Sequence, residues 1–332
     1  MNTEELNYEL PEELIAQEPA TPRDSSRLMT ISRRTGCLEH HRFWELPQWL
    51  NQGDVLVINT SRVIPSRLVL DDNRIILLLR KGLEEVWEAL GEKGSFQEGD
   101  EFSIEERFTG KVVSQREKVG PNGEALLQVV LDDRILLQKR GHIPLPPYIH
   151  SYHGDLERYQ TVYAKEEGSA AAPTAGFHFT PELLQKCREK GVGLAEVVLH
   201  ISIDTFLPIP EDNPLEHRIH KEWIQVSEKV AQQIASAKRV ICVGTTACRT
   251  VEQMWSWKGK PSPCEGFADM YITPGYQFHI SGLITNFHYP RSTMLLLVMA
   301  FLGRGDWMWE AYRTAIQEKY RFFSFGDAML IL

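Results

Sequence analysis

An α/β domain interrupted by a small antiparallel β-barrel is the fold that this sequence predicts, on three observations. From Val55 to about Leu137, short apolar, β-branched runs alternate with turn signals. Beyond Pro144-Leu-Pro-Pro147, a stiff linker, the rhythm changes to strand, helix, strand. A chain of 332 residues also exceeds what one core usually supports. Strands are expected at Val55–Ile58, Arg74–Leu79, Val86–Leu90, Lys111–Val113 and Leu126–Leu131, with turns at Asp71-Asp-Asn73 and Pro121-Asn-Gly123, a spacing that suggests the barrel. The α/β part then runs as helix 181–190, strand 194–199, helix 228–237, strand 240–243 and a helix from Ala247. Helices at 293–302 and 307–320 are expected to cover the sheet. The expected division is a discontinuous α/β domain, 1–60 and 150–332, around a barrel insert, 61–149.

Composition bounds the function. Apolar content of 42% and charged content of 24% are ordinary for a soluble globular chain. The longest apolar run, Met294 to Leu302, is too short to span a bilayer, and the acidic N-terminus lacks the apolar stretch of a secretory signal. Five cysteines without a C-x-x-C pair fit a reducing cytoplasm. The net charge of −9 speaks against a wholly basic nucleic-acid binder. Residues 1–60 hold five basic and ten acidic side chains, more than half of that excess, so a local basic face elsewhere stays open.

The most informative stretch is Arg158 to Thr180. Its small-residue run, Gly168 to Gly176, fits neither a helix nor a strand period, and Pro173 and Gly176 break regular structure. Thr180-Pro181 then opens a helix as N-cap and first helical residue. His178, between Phe177 and Phe179, is thereby placed beside a helix N-terminus. Burial and the positive end of the dipole should both disfavour its imidazolium form. The bland alternative is an ordinary histidine in a surface loop.

Four further groups carry polar chemistry. Gly244-Thr245-Thr246 follows a strand and opens a helix, which suits an anion, although plain capping by Thr246 explains the motif equally well. His217, His220 and Glu222 lie close enough in sequence to suggest a metal site but lack the helical H-E-x-x-H context. Asn286, His288 and Arg291 precede a helix, where Arg291 suits a carboxylate or phosphate. Arg62 and Arg67 stand where the barrel begins, placed for phosphate contact or on a solvated rim.

Seven blocks carry a family resemblance in order along nearly the whole chain. They include Tyr8–Ala16, Asn59–Leu68, Gly141–Tyr148, Tyr159–Ala164 with Ala172–Phe179, Val243–Thr246, Ile272–Tyr276 with Leu283–His288, and Tyr320–Met329. In these blocks the chain resembles the S-adenosylmethionine:tRNA ribosyltransferase-isomerases of queuosine biosynthesis. The resemblance implies transfer and isomerisation of the ribosyl part of S-adenosylmethionine onto 7-aminomethyl-7-deazaguanine at the tRNA wobble position. Adenine and methionine leave, and epoxyqueuosine-tRNA remains. The expected partners are S-adenosylmethionine and a tRNA with a GUN anticodon; the expected state is a cytoplasmic monomer with no membrane. No metal or cofactor is expected, since S-adenosylmethionine is a consumed co-substrate.

The resemblance also implies a site. His178 and His200 are the expected general acid–base residues. Phe177, Phe179 and Tyr163 are expected to face the sulfonium, and Tyr159 or Tyr276 to stack an anticodon base. Thr174, Gly176, Thr205, Gly244, Thr245, Thr246, Asn286, His288, Arg291 and Arg62 complete the expected substrate contacts. The family's usual His-Val-Gly-x-Gly-Thr-Phe reads His200-Ile-Ser-Ile-Asp-Thr-Phe206 here, so Ser202 and Asp204 replace both glycines. Strain is expected there if either position needs a positive φ. Two other readings remain, a non-catalytic tRNA-binding protein on the same scaffold and a metal-dependent hydrolase built on His217, His220 and Glu222.

Overall fold

The computed structural model describes residues 1–81, 86–92, 94–116, 125–131, 141–150, 152–202 and 208–332. Among them, four parallel strands form the centre of a nine-stranded mixed sheet. These are β3 (Asp54–Asn59), β12 (Gly193–Leu199), β14 (Arg239–Val243) and β16 (Gly282–Asn286), adjacent in the order β12-β3-β14-β16. Towards one edge follow β17 (Ala328–Ile331), β1 (Arg27–Ile31) and β2 (Leu38–Arg42); towards the other, β13 (Glu222–Val226) and β15 (Cys264–Ala268).

The apolar runs of the central strands are continuous because both faces are covered. Val55 and Val57 of β3 enter one core, while Leu56 and Ile58 enter the other. The first core also takes α2 (Glu228–Ser236), α3 (Thr245–Lys258), α4 (Thr293–Leu302) and α5 (Gly305–Gln317). The second takes α1 (Pro181–Glu189) through Leu183, Leu184 and Cys187. Side chains cap three of these helices: Thr180 accepts from Leu183 N–H at 3.1 Å, Ser227 from Val230 at 3.4 Å and Ser292 from Leu295 at 3.3 Å. Each such cap contributes about 1 kcal/mol. The third helix begins at Thr245 rather than the expected Ala247, because Gly244 is the residue before it, with φ +91°.

The second sheet is six-stranded and antiparallel: β5 (Arg67–Val69), β6 (Ile75–Lys81), β7 (Val86–Gly91), β10 (Ala125–Leu131), β9 (Phe108–Arg116) and β8 (Glu101–Ile104), in that spatial order. It curls into a nearly closed barrel around Leu68, Ile76, Trp87, Phe102, Phe108 and Leu127. Asp71, just past β5, fastens the two edges. Its backbone N–H donates to Ser103 of β8 at 3.0 Å, and its carboxylate accepts from the Ser103 hydroxyl and the Glu105 and Glu106 amides. The α/β sheet with a barrel is therefore the fold class read from sequence, except that Val55–Ile58, read with the barrel-like strands, is β3 at the centre of the large sheet, and the expected turn at 121–123 lies outside the described residues.

Where the chain leaves β3 and where it returns, β4 (Ser61–Val63) pairs in parallel with β11 (Glu166–Ser169). The Gln160 side-chain amide closes both backbone groups of Val63, at 3.0 Å each. This clasp holds the 160–180 stretch against the C-terminal end of the sheet.

Gly176, expected among the substrate contacts, makes room for a neighbour. A Cβ there would lie 2.1 Å from the Tyr163 hydroxyl and 2.7 Å from Thr161 Cγ2, both side chains being buried. Gly176→Ala is expected to destabilise the protein by ~1–3 kcal/mol through overpacking. Adding Tyr163→Phe, which deletes the clashing oxygen, should recover part of the lost melting temperature. No recovery would remove this contact as the cause.

Candidate active site at the ends of the central strands

The carboxyl ends of β14 and β16 and the turns that follow them open onto one cavity of about 560 Å3, mouth included. Its walls are residues 171–175, 244–246, 285–289 and 323–324, with Tyr148, Ile201 and Met294. Ligands of α/β sheets bind beyond the carboxyl ends of the strands, where loops diverge. Asn59, at the end of β3, is fully buried beneath this floor. Its amide accepts from the Ser61 and Leu199 N–H groups and donates to Thr246 Oγ1 at 3.4 Å.

Polar groups in the wall are held in fixed orientations. Asn286 donates to the Phe323 carbonyl at 3.0 Å and sits 3.5 Å from the Thr174 hydroxyl. His288 pairs through Nε2 with the Thr285 hydroxyl at 2.8 Å, and its backbone N–H donates to Tyr312 at 2.9 Å. Burial pushes the His288 imidazole down to about 3, so it is neutral at physiological pH. Tyr148, bonded to Ser324 at 2.7 Å, lies 4.7 Å from the Phe323 ring, and Tyr289 stands edge-on to the same ring at 6.0 Å. Aromatic faces of this kind attract a cation. A second cavity of about 400 Å3 adjoins the first across Thr245, Thr246 and Met294, and is lined further by His220, Arg249 and Tyr271.

Of the sequence-derived site residues, Thr174, Gly244, Thr245, Thr246, Asn286 and His288 converge on the main cavity. His178 sits behind the wall. It is 3% exposed and stacks on Phe43 at 4.9 Å. Nδ1 bonds the Ser26 hydroxyl at 2.7 Å and Nε2 faces the Asn286 amide at 3.3 Å. Burial first, then the charges of Arg321 and Arg23, hold its imidazole at about 3. The neutral form expected from sequence is there, with burial its first cause, as expected, and the nearby arginines adding to it, and both ring nitrogens are engaged within the protein.

Phe177, Phe179 and Tyr163 are buried in the cores and do not line the cavity. Tyr159 is fully buried against Phe177 and Phe325, so no face of it is open to a splayed-out base. Tyr276 is half-buried, with its hydroxyl on Glu252 at 3.0 Å, away from both cavities. His200 stands outside the main cavity with its ring over Gly168, and burial lowers its pKa. Arg291 lies on the surface in an ion pair with Glu4 at 3.0 Å, and Arg62 pairs with Glu157 at 2.5 Å. Thr205 and Asp204 lie outside the described residues. Ser202 is described and is not in the left-handed region, so the exchange for glycine there carries no φ strain. Its N–H donates to Glu222 at 2.9 Å.

Glu222 corrects the metal reading. Its carboxylate is taken by Arg249 and by His220 at 3.1 Å, whereas His217 pairs with Glu211 at 2.8 Å. Among the described residues no group of three or more His, Cys, Asp or Glu is placed to hold a metal ion. Among them, too, no helix is long and apolar enough to cross a membrane. Sequence reasoning missed Arg249; its one signal was an arginine four residues into an otherwise apolar and small-residue helix start.

Comparison with known proteins decides the family. The family model described as "Queuosine biosynthesis protein" matches residues 3–331. The chain belongs to this queuosine biosynthesis family. Relatives named S-adenosylmethionine:tRNA ribosyltransferase-isomerase include that of Desulfitobacterium hafniense, 46% identical with all of both chains covered. Another, from Clostridioides difficile, is 44% identical, again over all of both chains. The crystal structure of a Thermotoga maritima S-adenosylmethionine tRNA ribosyltransferase is 37% identical, with a TM-score of 0.56, covering 99% of this chain and all of that one. Within the family frame, the cavity beyond the central strands is the candidate active site.

Proposed function

We propose that this member of the queuosine biosynthesis family is an S-adenosylmethionine:tRNA ribosyltransferase-isomerase, working at the cavity beyond β14 and β16. One observation carries the reading most. One cavity combines aromatic faces, a helix N-terminus and a neutral imidazole, which match the sulfonium, the anionic end and the proton transfers that the reaction requires. His288, in the cavity wall, is the group best placed to accept a proton beside the sulfonium. His178 then has a positioning role, holding Asn286. The tRNA substrate has a GUN anticodon carrying 7-aminomethyl-7-deazaguanine, the product is epoxyqueuosine-tRNA, and the protein acts as a cytoplasmic monomer without a cofactor.

The test is release of adenine from S-adenosylmethionine in the presence of tRNA carrying the modified base. Release that depends on that base is the expected result. Tight tRNA binding with no adenine release would instead favour a non-catalytic tRNA-binding protein on the same scaffold.

A further inference from the structure

One buried charge beside the candidate site has a donor left over. Arg249 lies one turn into α3, four residues after Thr245, and is 8% exposed. Its Nη1 donates to the Glu222 carboxylate and its Nε to the Met270 carbonyl at 3.1 Å. The third nitrogen, Nη2, is buried and has no hydrogen-bond partner among the described residues. Leaving a charged donor unmade in the interior is costly, so such a group is either a strain point or a ligand contact. Its surroundings favour the ligand. Arg249 lines the smaller cavity together with Thr245 and Thr246, at the N-terminus of a helix of 14 residues. Free N–H groups and the positive dipole end favour an anion there.

Glu222 makes the guanidinium rigid without filling it. Held well into the ionised range, at about 2, by Arg249 and His220, it also accepts the Ser202 N–H at 2.9 Å. Two of the three guanidinium nitrogens are therefore anchored and Nη2 is left over, in a residue that lines the smaller cavity. Arg291, the sequence's own candidate for an anion, is half-exposed at the surface and paired with Glu4.

We infer that the smaller cavity receives the α-carboxylate of the methionyl part of S-adenosylmethionine, with Arg249 Nη2 as its charged donor and Glu222 as the residue that positions it. The inference rests on the proposed function. The shared wall of Thr245, Thr246 and Met294 joins this pocket to the larger cavity, whose aromatic faces take the remainder of the same molecule. A pocket lined by one guanidinium with a spare donor and by a helix N-terminus matches a carboxylate.

The test compares the dissociation constants of S-adenosylmethionine and its decarboxylated analogue, which keeps the sulfonium and the amine. The wild-type protein is expected to prefer the carboxylated ligand by roughly ten- to a hundredfold. Arg249→Lys keeps a cation beside Glu222 but cannot present both anchored and free donors, so the preference should fall towards one. Arg291→Ala should leave it unchanged. If Arg249→Lys does not fold, the Arg249→Gln/Glu222→Gln pair removes both buried charges together and should show the same loss. A wild-type preference that survives in these variants overturns the assignment, because a purely structural role for Arg249 would not move the ratio of two ligands. Binding of neither ligand by the wild type would sink the functional reading, and this inference with it.

Discussion

His288→Gln is expected to lower the single-turnover rate by about tenfold or more, less than the ~10²–10⁴ of a general base tuned to the working pH, because an imidazole held at about 3 is a weak proton acceptor. Glutamine keeps hydrogen bonding to Thr285 but has no proton-accepting nitrogen. Binding of S-adenosylmethionine should change far less than the chemistry. Because burial keeps His288 neutral down to about pH 3, the wild-type rate should show no histidine limb near the ordinary value of about 6.5. A variant with near-normal turnover, or a wild-type acid limb near pH 6.5 that His288→Gln abolishes, would take His288 as described here out of the mechanism.

The second large effect concerns His178 and falls on stability. Its folded imidazole is held at about 3, against about 6.5 for an unfolded histidine. Below that upper value the unfolded chain takes up a proton that the folded one refuses. The contribution of His178 is thus fully present above about pH 6.5 and is lost as the pH falls, at up to 1.36 kcal/mol per unit. Between pH 6.5 and 5 the loss amounts to ~2 kcal/mol. His178→Gln should be less stable than the wild type at pH 8 by ~1–3 kcal/mol, since Ser26 and Asn286 lose a well-placed partner. That gap should shrink by ~2 kcal/mol at pH 5, because glutamine does not titrate. Denaturant titrations at both pH values measure it. Parallel losses at the two pH values would show that His178 does not titrate as proposed, and the folded fraction should retain most of its turnover if the role is positioning.

These two histidines show what the sequence could and could not convey. Helices α1 and α4 were legible because an N-cap, Thr180 or Ser292, stands at the start of a continuous apolar stretch or stripe. The Gly244-Thr245-Thr246 turn was legible because a strand that ends in glycine and passes straight into a helix leaves donors pointing outward. Phe177, Phe179 and Tyr159, in contrast, pack beneath the site, and an aromatic beside a glycine-rich turn reads the same whether it lines a cavity or supports it. His178 and His288 each precede or follow aromatic residues; only the packing of β16 places one in the wall and the other behind it. Arg249 was hidden for another reason. Its partner Glu222 is 27 residues away on a strand, and a buried ion pair has no local periodicity.

The strand order of the large sheet has a consequence for biosynthesis. β1 is flanked by β2, next to it in the chain, and by β17, which follows it by some three hundred residues. While the chain is being made, the β1–β2 hairpin exists long before its parallel partner and before β16, to which β17 joins it. The barrel strands, by contrast, all fall between Arg67 and Leu131 and can pair as soon as they emerge. Synthesis thus yields a nearly closed barrel early and an N-terminal ribbon with one unpaired, apolar edge until late. Such edges are sites of mispairing, and long-range closure is slow. In nascent chains of this protein the Leu28–Ile31 edge therefore stays open to mispairing until residues 328–331 slot in between β1 and β16.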